Sequence, residues 1–131
     1  MDGCMTVLLD TCALIFWTLD PASLTQTARE AIHQADEVAI SAISVWEIGI
    51  KNRRGAIDLP LSFREYVERL KTVRGLQILP VDEQIWVANV EMDWSHRDPA
   101  DRTVVATAMM HGWPLVTSDV TIRNYYPSSV W

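Results

Sequence analysis

The chain has 131 residues, 49% of them hydrophobic, a mean hydropathy near zero and only two cysteines, which together argue against a disordered chain, a disulfide framework and a membrane span. That length suits one domain able to bury roughly two thirds of its unfolded surface, and with no signal-peptide pattern ahead of Cys4 and Cys12 the expected location is the cytoplasm. The formal net charge of −6 argues against wrapping a polyanion by charge neutralisation alone, unless a bound cation reverses the local field.

In chain order, the pattern predicts a strand at about 5–10, a helix at about 12–18 broken near Asp20-Pro21, and a helix from about Thr25 to Gln34. A strand at about 37–42 and a helix from Val45 to Arg54, stopped by Gly55, come next. Beyond a linker with Pro60, a helix is expected from Phe63 to Arg74 with Gly75 as its stop, then a strand at about 76–81 and a helix from Glu83 to Met92. A polar loop from Trp94 to Arg97 leads into a helix opening at Asp98-Pro99 and ending at His111-Gly112. A strand at 114–118 and a tail with a short helical turn and an edge strand complete the chain. Strands alternating with helices predict a parallel sheet covered on both faces.

Five acidic residues, Asp10, Glu47, Asp98, Asp101 and Asp119, fall where a strand ends or a helix begins. In a right-handed α/β alternation such places share the carboxyl edge of the sheet, where open sheets bind ligands. Each has a structural reading as well. Ser44-Val45-Trp46-Glu47 fits a capping box, and Asp98-Pro99-Ala100-Asp101 fits a helix start with an acidic first turn. Asp10 is harder to account for in that way, because it ends a strand inside an apolar segment where an uncompensated charge is costly. Several carboxylates in one crevice repel one another unless a cation neutralises them, and hard oxygen ligands suit Mg²⁺ or Mn²⁺. Thr11, Thr117 and Ser118 are candidate hydroxyls for orienting those carboxylates.

Four segments carry a resemblance: Leu8-Leu9-Asp10-Thr11; Ser44-Val45-Trp46-Glu47-Ile48 with Lys51; His96-Arg97-Asp98-Pro99-Ala100-Asp101-Arg102; and Leu115-Val116-Thr117-Ser118-Asp119. In order and spacing this set resembles PIN domains, most nearly the VapC-type ribonuclease toxins of toxin–antitoxin pairs, over nearly the whole chain. The resemblance implies a single three-layer α/β/α domain over 1–131 with a central parallel sheet of four or five strands. It also implies a Mg²⁺- or Mn²⁺-dependent endoribonuclease that hydrolyses RNA through metal-activated water, forms a homodimer and is neutralised by a cognate VapB-type antitoxin. Its catalytic and metal-holding acids fall on Asp10, Glu47, Asp101 and Asp119, with Asp98 as a supporting or capping acid; Lys51, one helical turn from Glu47, is placed to pair with it or to touch the substrate phosphate, for which Arg102 is a second candidate. Two departures are Cys12, where the family usually has histidine or asparagine, and Ala100, where it has a bulky aromatic.

Other residues read more plainly. Cys12 is expected to be a buried packing thiol, since no histidine and base pair accompany it. His96 is expected to hydrogen-bond the loop before Asp98, and Asp82 to cap a helix. Trp46 and Trp86 are expected in the core, Trp17 or Trp94 at an interface, and Met109 and Met110 in core or dimer packing. A receiver domain would need an acidic pair at the first strand and a lysine at the last; Asp10 stands alone, and no lysine follows Lys71. An aspartyl phosphatase would want an acid where Cys12 stands. A catalytically idle PIN-like module that binds RNA or protein is the remaining alternative.

Overall fold

A computed structural model describes residues 5–131; Cys4 lies outside the described residues. Five parallel strands form one sheet: β1 (Thr6–Leu9), β2 (Glu37–Ser41), β3 (Leu76–Leu79), β4 (Leu115–Val116) and β5 (Ser129–Val130), in the order β3-β2-β1-β4-β5. Among the described residues seven α-helices accompany them: α1 (Thr11–Leu19), α2 (Gln26–Gln34), α3 (Ala42–Arg53), α4 (Phe63–Thr72), α5 (Glu83–Glu91), α6 (Pro99–His111) and α7 (Val120–Tyr125).

The central strand β1 shows why the sheet is covered twice. Successive side chains point to opposite faces, so Val7 and Leu9 enter one core with Leu14, Ile40, Ile48 and Leu70. Leu8 enters the other with Val104, Val105, Leu115 and Ile122. A strand buried on both faces is apolar throughout, which is how Thr6–Leu9 reads. The chain runs outward from β1 to β2 and β3, then returns to the far side of β1 for β4 and β5. The reversal therefore lies between β1 and β4, and their carboxyl ends flank the crevice where such sheets bind ligands.

Boundaries shift where a cap acts earlier than the pattern suggests. The hydroxyl of Ser41, the last residue of β2, accepts from the Ile43 amide at 3.2 Å and starts α3 at Ala42. The expected capping box of Ser44 and Glu47 does not form; Ser44 lies inside the helix, fully buried. Gly112, in left-handed conformation at φ 68°, ends α6 where a glycine stop was expected. Gly49 serves a contact: a Cβ there would lie 2.6 Å from the Phe63 ring, so α3 and α4 touch only because it is absent.

The tryptophans correct the sequence reading. The buried residues of α3 are Ser44 and Ile48, one turn apart, so Trp46, about 200° around the helix from Ser44, points to solvent and is 59% exposed. The buried residues of α5 are Ile85 and Asn89, which leaves Trp86 44% exposed. Met109 and Met110 also lie outside the core. Among the described residues no helix is long and apolar enough to cross a membrane.

Candidate functional site

Three helices begin at the crevice, and each begins with an aspartate. Asp10 follows β1 and caps α1, its Oδ1 accepting from the Ala13 amide at 2.8 Å. Asp119 follows β4 and caps α7, accepting from the Ile122 amide at 3.2 Å. Asp98 caps α6 through the amides of Ala100 and Asp101, at 2.9 and 3.1 Å. The capping reading and the crevice reading are both realised, because a capping carboxylate spends one oxygen on the helix and keeps another.

Thr117 joins two of these acids. Fully buried just beyond β4, its hydroxyl donates to Asp10 Oδ2 at 2.5 Å and accepts from the Asp119 amide at 3.0 Å. Thr11 acts in another direction: its hydroxyl donates to Ser44 Oγ at 2.9 Å, tying the start of α1 to α3. Glu47 stands about one turn beyond Ser44 on the same helix. Glu47 pairs with Lys51 one turn on, at 3.6 Å.

Asp101 sits in the first turn of α6 and receives a second bond the sequence did not suggest. His96 Nε2 lies 2.7 Å from Asp101 Oδ2, and since an ionised carboxylate only accepts, the ring N–H is the donor. His96 therefore serves Asp101 rather than the loop backbone it was expected to bind. The only hint in the sequence was its position five residues before an acid, and no helical or strand period relates the two.

Together Asp10, Thr11, Cys12, Glu47, Lys51, Asp98, Asp101, Ser118 and Asp119 line one cleft of about 260 Å³. Its carboxylates oppose one another. Burial, then the charges of Asp101 and Asp119, push the Asp10 carboxyl up to about 6, against the lowering by Thr117 and the Ala13 amide. Asp101 is also raised, chiefly by burial, with His96 pulling the other way. Among the described residues no three acidic, histidine or cysteine side chains are yet drawn close enough to enclose a cation. Each carboxylate instead leans on a local partner: Thr117, Lys51, His96 or a helix amide. The donor set still fits a hard divalent cation, because carboxylate oxygens dominate the lining and a cation relieves the repulsion that raises Asp10.

Two expectations are corrected here. Arg102 does not line the cleft; its guanidinium is turned away to the backbone carbonyls of Trp94 at 2.6 Å, His96 at 3.1 Å, Met92 at 3.2 Å and Asn89. Its donors are used inside the protein, so the phosphate role assigned to it has no support. Cys12 is exposed on the cleft wall rather than packed, since α1 buries the neighbouring Thr11, Ala13 and Leu14 instead. Partial desolvation against the cleft wall, then the nearby Asp10 charge, raises its thiol pKa.

A doubly covered parallel sheet with acids at its switch point is the architecture of PIN domains, and the chain belongs to the PIN domain family, whose profile matches residues 7–126. It is 36% identical to Ribonuclease VapC22 of Mycobacterium tuberculosis, over 96% of this chain and 98% of that protein. Among solved structures, a toxin–antitoxin complex from Klebsiella pneumoniae matches with a TM-score of 0.67 at 20% identity, over 95% of this chain and 96% of that one. VapC20 of Mycobacterium tuberculosis, described as a Sarcin-Ricin loop cleaving toxin, matches with a TM-score of 0.63 at 17% identity, over 91% and 94%. At those identities the solved structures speak to the fold.

Proposed function

We propose that this chain is a metal-dependent endoribonuclease toxin of a toxin–antitoxin pair, acting in the cytoplasm as a single domain over 1–131. The observation that carries the reading is the meeting of Asp10, Glu47, Asp101 and Asp119, from four separate elements, in one cleft at the switch point. Kinship with Ribonuclease VapC22 favours RNA as the substrate. Asp10, Glu47, Asp101 and Asp119 would hold Mg²⁺ or Mn²⁺, which when bound supplies Lewis acidity toward a phosphodiester and toward water.

The chain's own residues do the rest. Lys51, 40% exposed at the cleft wall, offers a cation to the RNA phosphate while its bond to Glu47 keeps it near the acids. Thr117 holds the orientation of Asp10 from behind, where water does not compete. Ser118 and Asp98 complete the polar wall. His33 and His111 lie outside the cleft lining, and His96 is committed to Asp101, so histidine acid–base cleavage has no pair to perform it.

A VapB-type antitoxin is the proposed partner, favoured by solved toxin–antitoxin relatives such as VapBC2 of Rickettsia felis, with a TM-score of 0.65. A homodimer is proposed on the strength of exposed apolar residues: Trp86, Val87 and Val90 share one side of α5, beside Trp46 on α3.

The test is cleavage of an RNA oligonucleotide with Mg²⁺ or Mn²⁺ by wild type and Asp10→Asn, with product ends read by mass spectrometry. Hydrolysis leaves 5′-phosphate and 3′-hydroxyl ends and vanishes in the variant. A 2′,3′-cyclic phosphate would overturn the mechanism. Wild-type protein that binds metal and RNA without cleaving would leave the idle binding module.

A further inference from the structure

The segment between α5 and α6, residues 92–98, has no regular secondary structure, yet it is fastened more heavily than any other loop of the cleft. Arg102, from the first turns of α6, donates back to the carbonyls of Asn89, Met92, Trp94 and His96, and its Nε donates to Asn89 Oδ1 at 3.3 Å. The Asn89 amide in turn donates to Thr103 Oγ1 at 2.9 Å. The Trp94 ring stacks on Tyr125 of α7, with centroids 4.6 Å apart and planes at 11°. Its other neighbour is the His96 ring, at 4.8 Å. These bonds hold the His96 backbone from one side and its ring from another, and the ring's Nε2 meets Asp101 at 2.7 Å.

Asp101 has no other side-chain partner among the described residues, and unlike Asp10, Asp98 and Asp119 its carboxylate caps no helix amide. Without His96 it would be free to turn about χ1 and χ2 in a cleft whose other acids repel it. Histidine N–H groups and carboxylates paired in this way orient ligand groups, and their loss costs 10–100-fold in affinity or activity in metal sites generally.

We propose that His96 is a positioning residue of the cleft: it fixes the Asp101 carboxylate for the metal and thereby sets metal affinity and turnover without itself touching RNA. The inference rests on the functional reading above. Arg102 and Trp94 act one step further back, by fixing His96.

The experiment compares wild type with His96→Ala, His96→Gln and His96→Asn as full-length protein, measuring Mn²⁺ affinity by calorimetry, melting temperature, and kcat and KM on one RNA oligonucleotide. The Gln amide nitrogen reaches the place of the imidazole Nε2, and the Asn amide is one methylene too short. His96→Ala is expected to weaken Mn²⁺ binding and lower kcat by about 10–100-fold with KM for RNA unchanged. His96→Gln should recover most of both losses, and His96→Asn should not. A His96→Ala protein that is folded and equals wild type in Mn²⁺ affinity and kcat overturns the proposal. So does equal behaviour of the Gln and Asn variants, a comparison that remains decisive should the Ala variant fail to fold. Wild-type protein that neither binds Mn²⁺ nor cleaves RNA would bring down the functional reading, a result visible before any variant is made.

Discussion

The two halves of the acidic cleft are built by different means. Asp10 and Asp119 stand at the ends of neighbouring parallel strands, and one buried hydroxyl, that of Thr117, bonds to both residues. Glu47 and Asp101 stand on helices and are steadied by side chains, Lys51 and His96. The sheet half is positioned by backbone that cannot move without unfolding the core. The helical half is positioned by side-chain contacts at the partly exposed cleft wall, Lys51 on Glu47 and His96 on Asp101.

The largest contrast is expected at Asp10. Asp10→Asn should end cleavage, yet in metal-free buffer at neutral pH it should raise the melting temperature. Ionised Asp10 is disfavoured in the folded protein, whose carboxyl titrates at about 6 against 3.8 unfolded. The folded state therefore binds the proton more tightly, and stability from this group is complete below pH ~4 and lost as pH rises through ~6. The gain for Asn should be greatest above pH 7 and shrink toward pH 4, offset by the loss of one acceptor, since the Asn amide cannot accept from both Thr117 and Ala13. Thermal melts from pH 4 to 8 check this; a variant no more stable than wild type at pH 7.5 would mean that Asp10 carries no such strain.

Next comes the shared hydroxyl. Thr117→Val keeps shape and removes one donor and one acceptor, leaving the Asp119 amide and Asp10 Oδ2 without those partners. A stability loss of about 1–3 kcal/mol is expected, together with an upward shift in the pH at which metal begins to bind. Chemical denaturation and a metal titration against pH measure the two. Loss of stability with an unmoved metal-binding profile would confine Thr117 to the core.

The smallest effect is expected at Lys51. Lys51→Ala removes a half-exposed i,i+4 pair worth about 0.2–0.5 kcal/mol, so the fold should hardly notice. KM for RNA should rise while metal affinity stays constant or improves slightly. An unchanged KM would remove Lys51 from the phosphate contacts.

The two halves were also unequally legible. Asp10 and Asp119 could be found from sequence because a short apolar run ending in aspartate is local information, and the parallel topology carries it to one edge. The places of Asp98 and Asp101 followed from Pro99 at the first helical position. What failed was of longer reach. Arg102 is a flexible side chain whose partners are carbonyls in an irregular segment, where no period announces them. His96 belongs to that same segment. Ser44 was displaced from its expected cap by Ser41 because two serines three residues apart compete for one helix start, and the nearer to the strand prevailed. Trp46 and Trp86 lie outside the core because the buried side of each helix is set by other residues a full turn apart, Ser44 and Ile48 on α3 and Ile85 and Asn89 on α5.

The helix starts carry one further consequence. Folding accepts serine, threonine, asparagine or aspartate at an N-cap almost interchangeably, and away from the cleft this chain uses that freedom: Thr25 opens α2, Ser41 opens α3, Ser62 opens α4 and Asp82 opens α5. The three helices that open onto the cleft all begin with aspartate, at Asp10, Asp98 and Asp119. Folding alone asks for no carboxylate at any of the three, since a neutral cap serves a helix as well. A descendant released from catalysis could drift to asparagine or serine at those positions and keep every helix, so the spelling of the caps is a record of use that the fold by itself would not preserve.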